Sequence, residues 1–271
     1  MVKYNKSLIA FIIPVALLLL LAIAAPYIVP YDPYAQSLHE ALLPPDTMHW
    51  LGTDRYGRDI FSRVLIGAQT TILSSLLLLI IIAGFGSLIG IICGYHGGQL
   101  DSIIMRISDI FLAFPGMVFA IAVAGVLGGG ILNAVAALAL IAWPKYARLA
   151  RSLVLTICHM PYMNAARMSG TGSVGMIRHH VFPNIAGPIL VTAALDIGTI
   201  IMELAGLSFL GLGAMPPMAE WGSMMSNGRS MLQTAPWVII SPGCAIFLTV
   251  AAFNLLGDKI RDMFDPKQQE G

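Results

Sequence analysis

Residues 70–93, TTILSSLLLLIIIAGFGSLIGIIC, decide the fold class of this chain because they contain no charged side chain. At about 1.5 Å of rise per residue, a helix of this length crosses a hydrocarbon core of roughly 30 Å. Five further apolar runs have a similar reach: Ser7–Val29, Ile107–Leu127, Ile131–Trp143 with its continuation to Ala150, Gly187–Gly211 and Val238–Leu256. The sequence therefore predicts an all-α, polytopic membrane helix bundle of about six transmembrane helices.

The fourth run is interrupted by Pro144 and Lys145. Only tertiary contacts, or a lysine that reaches the membrane surface, can carry a helix through such a pair. We retain this span because an odd number of spans would place the polar stretch Asn164–Pro183 and the C-terminus on opposite sides of the membrane.

Composition excludes several classes of protein. With 57% hydrophobic and 11% charged residues, a soluble domain would have too little polar surface. The 15 Lys and Arg residues are balanced by 14 Asp and Glu residues, so the chain lacks the basic field that nucleic acid requires. The lipid bilayer is its expected environment, and a nucleic-acid partner is not expected.

Orientation follows from the placement of basic residues. With the N-terminus inside, eleven basic residues lie on the cytoplasmic side, namely Lys3, Lys6, Arg106, Lys145, Arg148, Arg151, Arg167, Arg178, Lys259, Arg261 and Lys267. Four lie outside, namely Arg55, Arg58, Arg63 and Arg229. Both termini of this multi-pass protein are therefore predicted to be cytoplasmic.

The first run also has features of a secretory signal, because Ala22-Ile23-Ala24 offers a small-residue cleavage site. The apolar character continues beyond that site to Val29. An uncleaved anchor is favoured, and cleavage is the alternative.

The polar stretch Asn164–Pro183, NAARMSGTGSVGMIRHHVFP, is placed where a cytoplasmic partner can reach it. The small side chains of Ala165 and Ala166 let a partner approach the backbone closely. Gly170 permits a sharp turn, and Pro183 is expected to redirect the chain towards the next span. We interpret this coupling loop, defined as Asn164–Pro183, as a docking surface. An ordinary polar connector is the alternative.

The longest external stretch runs from Pro30 to Gln69. Its first half, rich in Pro and aromatic residues, predicts an extended segment along the membrane surface. Near its end an apolar stripe recurs at helical spacing, made of Ile60, Phe61, Val64, Leu65 and Ala68. That stripe predicts an interfacial amphipathic helix before the second span.

Several motifs carry a family resemblance. The string His49–Arg63, HWLGTDRYGRDIFSR, resembles the N-terminal signature of the second permease subunit in the dipeptide, oligopeptide and nickel importers of the ABC class. Its signature residues here are Trp50, Asp54, Gly57, Arg58 and Asp59. Later strings match the same family: Ala205–Gly213 (AGLSFLGLG), Pro216-Pro217, Glu220–Gly222 (EWG), Phe253–Asp258 (FNLLGD), Arg261-Asp262 and Asp265-Pro266. The coupling loop is also similar, although Asn164 stands where the family pattern has glutamate.

The resemblance implies a type I ABC importer permease fold and a place in the bacterial inner membrane. Residues 1–69 would form the N-terminal anchor and external interfacial helix, and residues 70–271 the permease core with its coupling loop. It also implies a homologous second permease subunit, two cytoplasmic ATPase subunits and an extracytoplasmic substrate-binding protein. ATP and magnesium would bind to the ATPases, because this chain has no GxxxxGK[ST] motif, and no cofactor of its own is expected.

Ionisable residues within the spans mark a candidate substrate path. Asp196 and Glu203 are seven residues apart, so they share nearly one helical face, about 10 Å apart along the axis. With Met202 beside them, they would suit a cationic substrate. The alternative is that each carboxylate pairs with a polar group or cation of the partner permease. Asp109 is expected to pair with Arg106, one turn away.

The cargo is the least determined feature. The resemblance favours nickel, as a chelate, and di- or oligopeptides are the alternative; no residue is assigned as a metal ligand. A membrane enzyme or electron-transfer subunit would show paired histidines on facing helices, an HExxH motif or a Ser or Asp dyad, and none is present. A channel that works without ATP would not need the partners that the coupling loop is suited to meet.

Overall fold

The computed structural model describes residues 2–264 of the chain. Within that range it forms ten α-helices: α1 Val2–Ile28, α2 Ile60–His96, α3 Gly98–Ala113, α4 Gly116–Val126, α5 Ile131–Cys158, α6 Pro161–Met168, α7 Ser173–Met176, α8 Phe182–Phe209, α9 Trp221–Gly228 and α10 Trp237–Phe264. The predicted all-α class is confirmed. Two predicted features, cytoplasmic Lys267 and the Asp265-Pro266 motif, lie outside the described residues.

Four helical stretches are long and apolar enough to cross a membrane: Leu8–Ile28, Ile60–His96, Ser173–Phe209 and Trp237–Met263. The bent pair α3 and α4 raises the number to five if it counts as one span. Helix α5 is long enough to cross a membrane, with 28 residues, but it is not apolar enough to be counted with these four. The number of spans therefore equals the predicted six only if both the bent pair and α5 cross the membrane.

The third predicted span, Ile107–Leu127, is wrong as a single straight helix. The chain bends by 93° between α3 and α4. Phe114 at the break has extended backbone angles, with φ −100° and ψ 149°. Pro115 explains this geometry, because its ring excludes the α conformation for the residue before it.

Helix α5 continues without a break through Pro144. The Lys145 Nζ atom contacts the Asp196 Oδ1 atom of α8 at 2.6 Å, and Tyr146 is fully buried. Tertiary contacts therefore stabilise α5 across Pro144 and Lys145, as expected from the sequence.

A seam of glycines brings α2 against α5. A Cβ atom on Gly86 would lie 2.5 Å from the carbonyl oxygen of Trp143, and one on Gly90 would lie 2.2 Å from that of Ala147. A Cβ atom on Gly94 would lie 2.9 Å from the Val154 side chain. Glycine at every fourth position lets the two backbones approach closely, which is how helices associate in membranes.

Two arginines of α5 fix α3. The guanidinium of Arg151 donates two hydrogen bonds to the Asp101 carboxylate, at 2.5 and 2.6 Å. Arg148 forms an ion pair with Asp109. The predicted pair between Asp109 and Arg106 is therefore wrong, because α3 turns its carboxylates towards α5.

The predicted interfacial helix is not a separate surface helix. Its apolar stripe forms the first turns of α2, a single helix of 37 residues from Ile60 to His96. Asp59 caps that helix by accepting a hydrogen bond from the Ser62 amide at 2.7 Å. Ser62 and Arg63, on the stripe's polar side, are buried because the external segment packs over them. The proposed domain boundary at residue 69 falls within α2 and stays a prediction.

Candidate functional site

The coupling loop is helical over most of its length. Asn164, Ala165 and Ala166 lie on α6, with Asn164 and Ala165 exposed and Ala166 half-buried. The chain then turns, and Gly170 takes a φ of +84°. The Gly170 amide donates to the Arg167 carbonyl at 3.0 Å, which closes the end of α6. The predicted sharp turn at Gly170 is present, because only glycine adopts this backbone geometry without strain.

Pro183 does not redirect the chain. It lies in the first turn of α8, and the helical path from Ser173 to Phe209 forms one stretch of 37 residues. A π-helical turn, Ile177–Val181, directly precedes α8. Because proline lacks an N–H and is tolerated in a first helical turn, the reversal falls instead at residues 169–172.

The coupling loop has a buried base and an exposed apolar face. Met163 and Met176 are fully buried in the main core cluster. On the other side, Met168 is 89% exposed and Val174 is 80% exposed. Such an apolar surface at the end of a helix bundle, set among polar residues, is typical of a protein-docking site.

Gly170→Val is expected to reduce uptake at least tenfold while ATP hydrolysis continues. No atom lies within 4 Å of the position that a Cβ would take, so the cost is backbone strain at the turn rather than a steric clash. Uptake and ATP hydrolysis would be measured in the same membrane vesicles.

Gly172→Val provides the matched control. Gly172 is equally open but has an ordinary φ of −68°. It should leave uptake near the level of the unmodified protein. Equal uptake by the two variants would contradict a role for the Gly170 turn.

The candidate substrate path is not a simple acidic stripe. Asp196 contacts Lys145 at 2.6 Å and accepts a hydrogen bond from the Tyr146 hydroxyl at 3.0 Å. Its cation therefore comes from its own chain. Glu203 is half-buried on the same helix. Lys145 compensates the charge of Asp196, whereas Glu203 has no contact ion pair among the described residues.

Met202 lies on the wall of an apolar groove between α8, α9 and α10, and 55% of its side chain is exposed. Phe209, Met225 and Phe247 line the groove further, and Asn254 adds an exposed amide. The groove has a volume of about 740 Å³. This space is large enough for a small organic molecule or for an apolar side of a neighbouring helix.

The predicted signature residues of the external segment form a buried network of charges. The Asp54 carboxylate accepts from the Arg58 Nε atom at 2.7 Å and lies 3.8 Å from the Arg63 Nε atom. Asp59 accepts from the Ser62 hydroxyl at 2.7 Å, and its other oxygen lies 3.0 Å from the His49 ring. All six of these ionisable or polar residues are buried. The network fastens the external segment to the start of α2.

The two remaining signature residues differ in exposure. Gly57 has a φ of +72°, and a Cβ there would lie 1.8 Å from the Ser37 carbonyl oxygen, so a close backbone contact requires glycine. Trp50 is 63% exposed and packs on Phe61, with ring centroids 4.9 Å apart. An exposed tryptophan at the end of a membrane helix is typical of the lipid interface.

Glu220 is a buried carboxylate that caps α9. It accepts hydrogen bonds from the amides of Gly222 and Ser223 at 2.9 and 2.8 Å, and from the Thr71 hydroxyl of α2 at 3.3 Å. Burial raises the pKa of Glu220 above its ordinary value, while the two amide hydrogen bonds act in the opposite direction. The carboxylate therefore fixes α9 against α2.

Two family models match the chain. The model described as "Binding-protein-dependent transport system inner membrane component" matches residues 86–270, which is more than half of the chain. The "N-terminal TM domain of oligopeptide transport permease C" matches residues 2–45. The chain belongs to the family of binding-protein-dependent transport permeases. The predicted type I ABC importer permease fold is confirmed for this permease.

Relatives of the permease share about two fifths of its sequence over nearly its whole length. The probable D,D-dipeptide transport system permease protein of Escherichia coli is 43% identical, over 98% of this chain and 90% of its own. The nickel transport system permease protein of Escherichia coli is 42% identical, over 94% and 92%. The glutathione transport system permease protein of Pectobacterium atrosepticum is 44% identical, over 92% and 84%. These relatives are permease subunits of transporters and not enzymes themselves.

Sequence reasoning missed the partners of the charged residues. It treated Lys145 as an interruption of a span, although a lysine in one apolar run and an aspartate in another indicate a buried pair. It also missed the anchoring role of Met163 and Met176, which have no signal apart from their apolar character. The glycine seam was visible as Gly86, Gly90 and Gly94 at every fourth position.

Proposed function

We propose that this permease forms one half of a translocation pore, that a homologous second permease forms the other half, and that ATP hydrolysis on two cytoplasmic ATPase subunits drives import. The coupling loop carries this proposal. Its exposed face, which includes Met168 and Val174, stands on a buried base at one end of the bundle. A partner that binds this face acts directly on the bundle.

The helical path supports this mechanism. The stretch Ser173–Phe209 begins in the coupling loop and continues to the far end of α8. Because a helix resists bending and compression, a displacement of its first turn reaches the groove beside Met202. ATP and magnesium bind to the ATPases in this proposal, and this chain transmits their motion.

The proposed orientation places both termini and the coupling loop in the cytoplasm. Arg148 and Arg151 of α5, like Arg167 and Arg178, lie towards the end that carries the coupling loop. Arg55 lies at the start of α2 and donates to the Asn227 side chain at 3.4 Å. An extracytoplasmic binding protein delivers cargo at that second end.

We propose a short peptide as the cargo. Lys145 compensates the charge of Asp196, so two free carboxylates for a metal cation do not face the path. The groove beside Met202 is mainly apolar and includes the exposed amide of Asn254. A peptide offers apolar side chains to such a surface, and a hydrogen-bonding backbone to the amide. Several relatives are named for dipeptides or glutathione.

A nickel chelate is the second candidate cargo. It is favoured by Glu203, whose carboxylate is not held in a contact ion pair, and by the exposed thioether of Met202. Carboxylate and sulfur together suit a borderline metal ion. One relative is named for nickel transport.

Uptake in a strain that lacks only this chain separates the two candidates. Radioactive dialanine and radioactive nickel would be supplied in parallel, and the intact chain would be restored from a plasmid as the control. Loss of dialanine uptake with intact nickel uptake supports the peptide proposal. Loss of nickel uptake supports the nickel chelate as cargo, provided that excess dialanine does not lower nickel uptake in the restored strain. Normal uptake of both contradicts this assignment of cargo.

A further inference from the structure

Three side chains connect α5 to α8 inside the helix bundle. Lys145 and Tyr146 of α5 both reach the carboxylate of Asp196 on α8, at 2.6 and 3.0 Å. Each carboxylate oxygen has its own donor, so the contact combines a salt bridge to the ammonium group with a charge-assisted hydrogen bond from the phenol. We call these three side chains the ionic staple.

The surroundings strengthen the ionic staple. Tyr146 is fully buried and the Asp196 side chain is 16% exposed, whereas 56% of the Lys145 side chain is exposed. In a low-dielectric interior, paired charges attract more strongly than they do in water, and an isolated charge is costly. Glu203, on the same helix as Asp196, lies within electrostatic reach of both charged members.

The ionic staple lies at about the same distance from the coupling loop along α5 as along α8. On α5, Lys145 lies about 20 Å along the helix axis from the last residue, Cys158. On α8, Asp196 lies about 20 Å along the axis from the first residue, Phe182. The coupling loop connects these two helix ends, so the ionic staple joins the two arms of a hairpin near the middle of each helix.

The near end of the same hairpin is held by apolar packing. Met163 of α6 and Met176 of α7 are fully buried in one core cluster with Val154 of α5 and Ile185 of α8. The loop and both helix ends therefore form one packed unit. The ionic staple extends that unit into the apolar part of the bundle.

We propose that the ionic staple makes α5, the coupling loop and α8 a single lever, so that a displacement of the loop moves both helices together at the height of Asp196. Lys145 and Tyr146 are positioning residues in this view: they hold Asp196 and need not touch the cargo. The inference rests on the proposed coupling role of the loop. It assigns to an intramembrane charge pair a part in energy transmission.

Charge variants of the whole transporter test the ionic staple. Asp196→Asn leaves the lysine unpaired, and we expect uptake of the transported probe, dialanine or nickel, to fall at least tenfold while ATP hydrolysis falls less than threefold. The exchanged pair Lys145→Asp with Asp196→Lys restores opposite charges, and should recover at least a third of the uptake lost. A merely structural role would lower both activities equally. Normal uptake by Asp196→Asn would overturn the proposal.

A cross-linking experiment does not depend on the cargo. Cys93, Cys158 and Cys244 would be changed to Ser, and Leu149→Cys and Ala193→Cys would be joined by a short bifunctional thiol reagent. Leu149 and Ala193 lie about one turn from the ionic staple on α5 and α8 and pack against the same core cluster, so the staple itself stays intact. We expect equal yields in the nucleotide-free transporter and in the transporter trapped with ATP and vanadate. The single variant Leu149→Cys, treated in the same way, is the control for reaction of one cysteine without cross-linking.

Unequal cross-linking yields would show that α5 and α8 separate during the cycle, and would overturn the lever. Equal yields support it even where neither dialanine nor nickel is transported. Failure of the cargo proposal and failure of the lever are therefore distinguishable.

Discussion

Gly90→Ala is expected to lower the free energy of unfolding by about 3 kcal/mol, near the upper end of the cost of overpacking a helix interface. The added Cβ would lie 2.2 Å from the Ala147 carbonyl oxygen and 2.8 Å from the Ala150 side chain. The first of these atoms is backbone, so α2 and α5 must separate along the glycine seam. The midpoint of thermal unfolding, measured on the purified permease in detergent, should fall by several degrees.

Gly84→Ala on the same helix provides the control. No atom lies within 4 Å of a Cβ at Gly84, which is exposed. The change should leave the midpoint equal or slightly higher, because alanine favours helix more than glycine does. Equal midpoints for the two variants would mean that the close approach of α2 and α5 at Gly90 is not required.

Asp54→Asn is expected to cost about 3–5 kcal/mol of folding free energy, as is typical when one member of a buried ion pair is removed. The Asp54 carboxylate faces both Arg58 and Arg63, which are 5% and 3% exposed. Its neutral analogue would leave two buried guanidinium groups without an anion. The external segment should then detach from the start of α2, which limited proteolysis from the outer side of spheroplasts would detect.

Asp32→Asn is the matched control on the same external segment. Asp32 is exposed, and among the described residues its carboxylate accepts a hydrogen bond only from the nearby Tyr34 amide. Its neutralisation should not change the pattern of proteolysis. Protection of the Asp54→Asn variant equal to that of the unmodified protein would contradict the role of the buried network.

The sequence predicted the fold class because apolar runs of about 20 residues have few structural solutions other than a membrane helix. It could not place the break at Phe114, because a proline in an apolar run is compatible with a kink as well as with a sharp bend. Pro144 and Pro115 illustrate this difference. The first lies inside an unbroken helix that packs on α2, and the second marks a bend of 93°.

The sequence predicted those features of the candidate sites that depend on local backbone conformation. Gly170 was expected at a sharp turn, and it has a φ of +84°. Partners that are distant in sequence were not predictable in this way. Asp196 and Lys145 are 51 residues apart, and Asp54 and Arg63 meet only because the external segment folds over α2. A single sequence shows that a buried charge needs a partner but does not identify that partner.

The structure shows the physical basis of the signature in the external segment. Asp54, Arg58 and Asp59 are buried in hydrogen bonds and ion pairs. Trp50 differs because most of its side chain is exposed. A family motif can thus combine residues that hold the fold with one whose side chain is exposed.

We propose that the ATPase subunits bind to the coupling loop. A double substitution on the exposed face of the loop tests this binding. Met168→Asp with Val174→Asp places two charges where apolar side chains are 89% and 80% exposed. Val126→Asp, at an equally exposed position at the end of α4, is the control. The measurement is ATP hydrolysis that copurifies with the tagged permease from membranes of cells carrying the whole transporter. Loss of at least nine tenths of this activity with the double variant alone is the predicted result. Full retention would contradict the account.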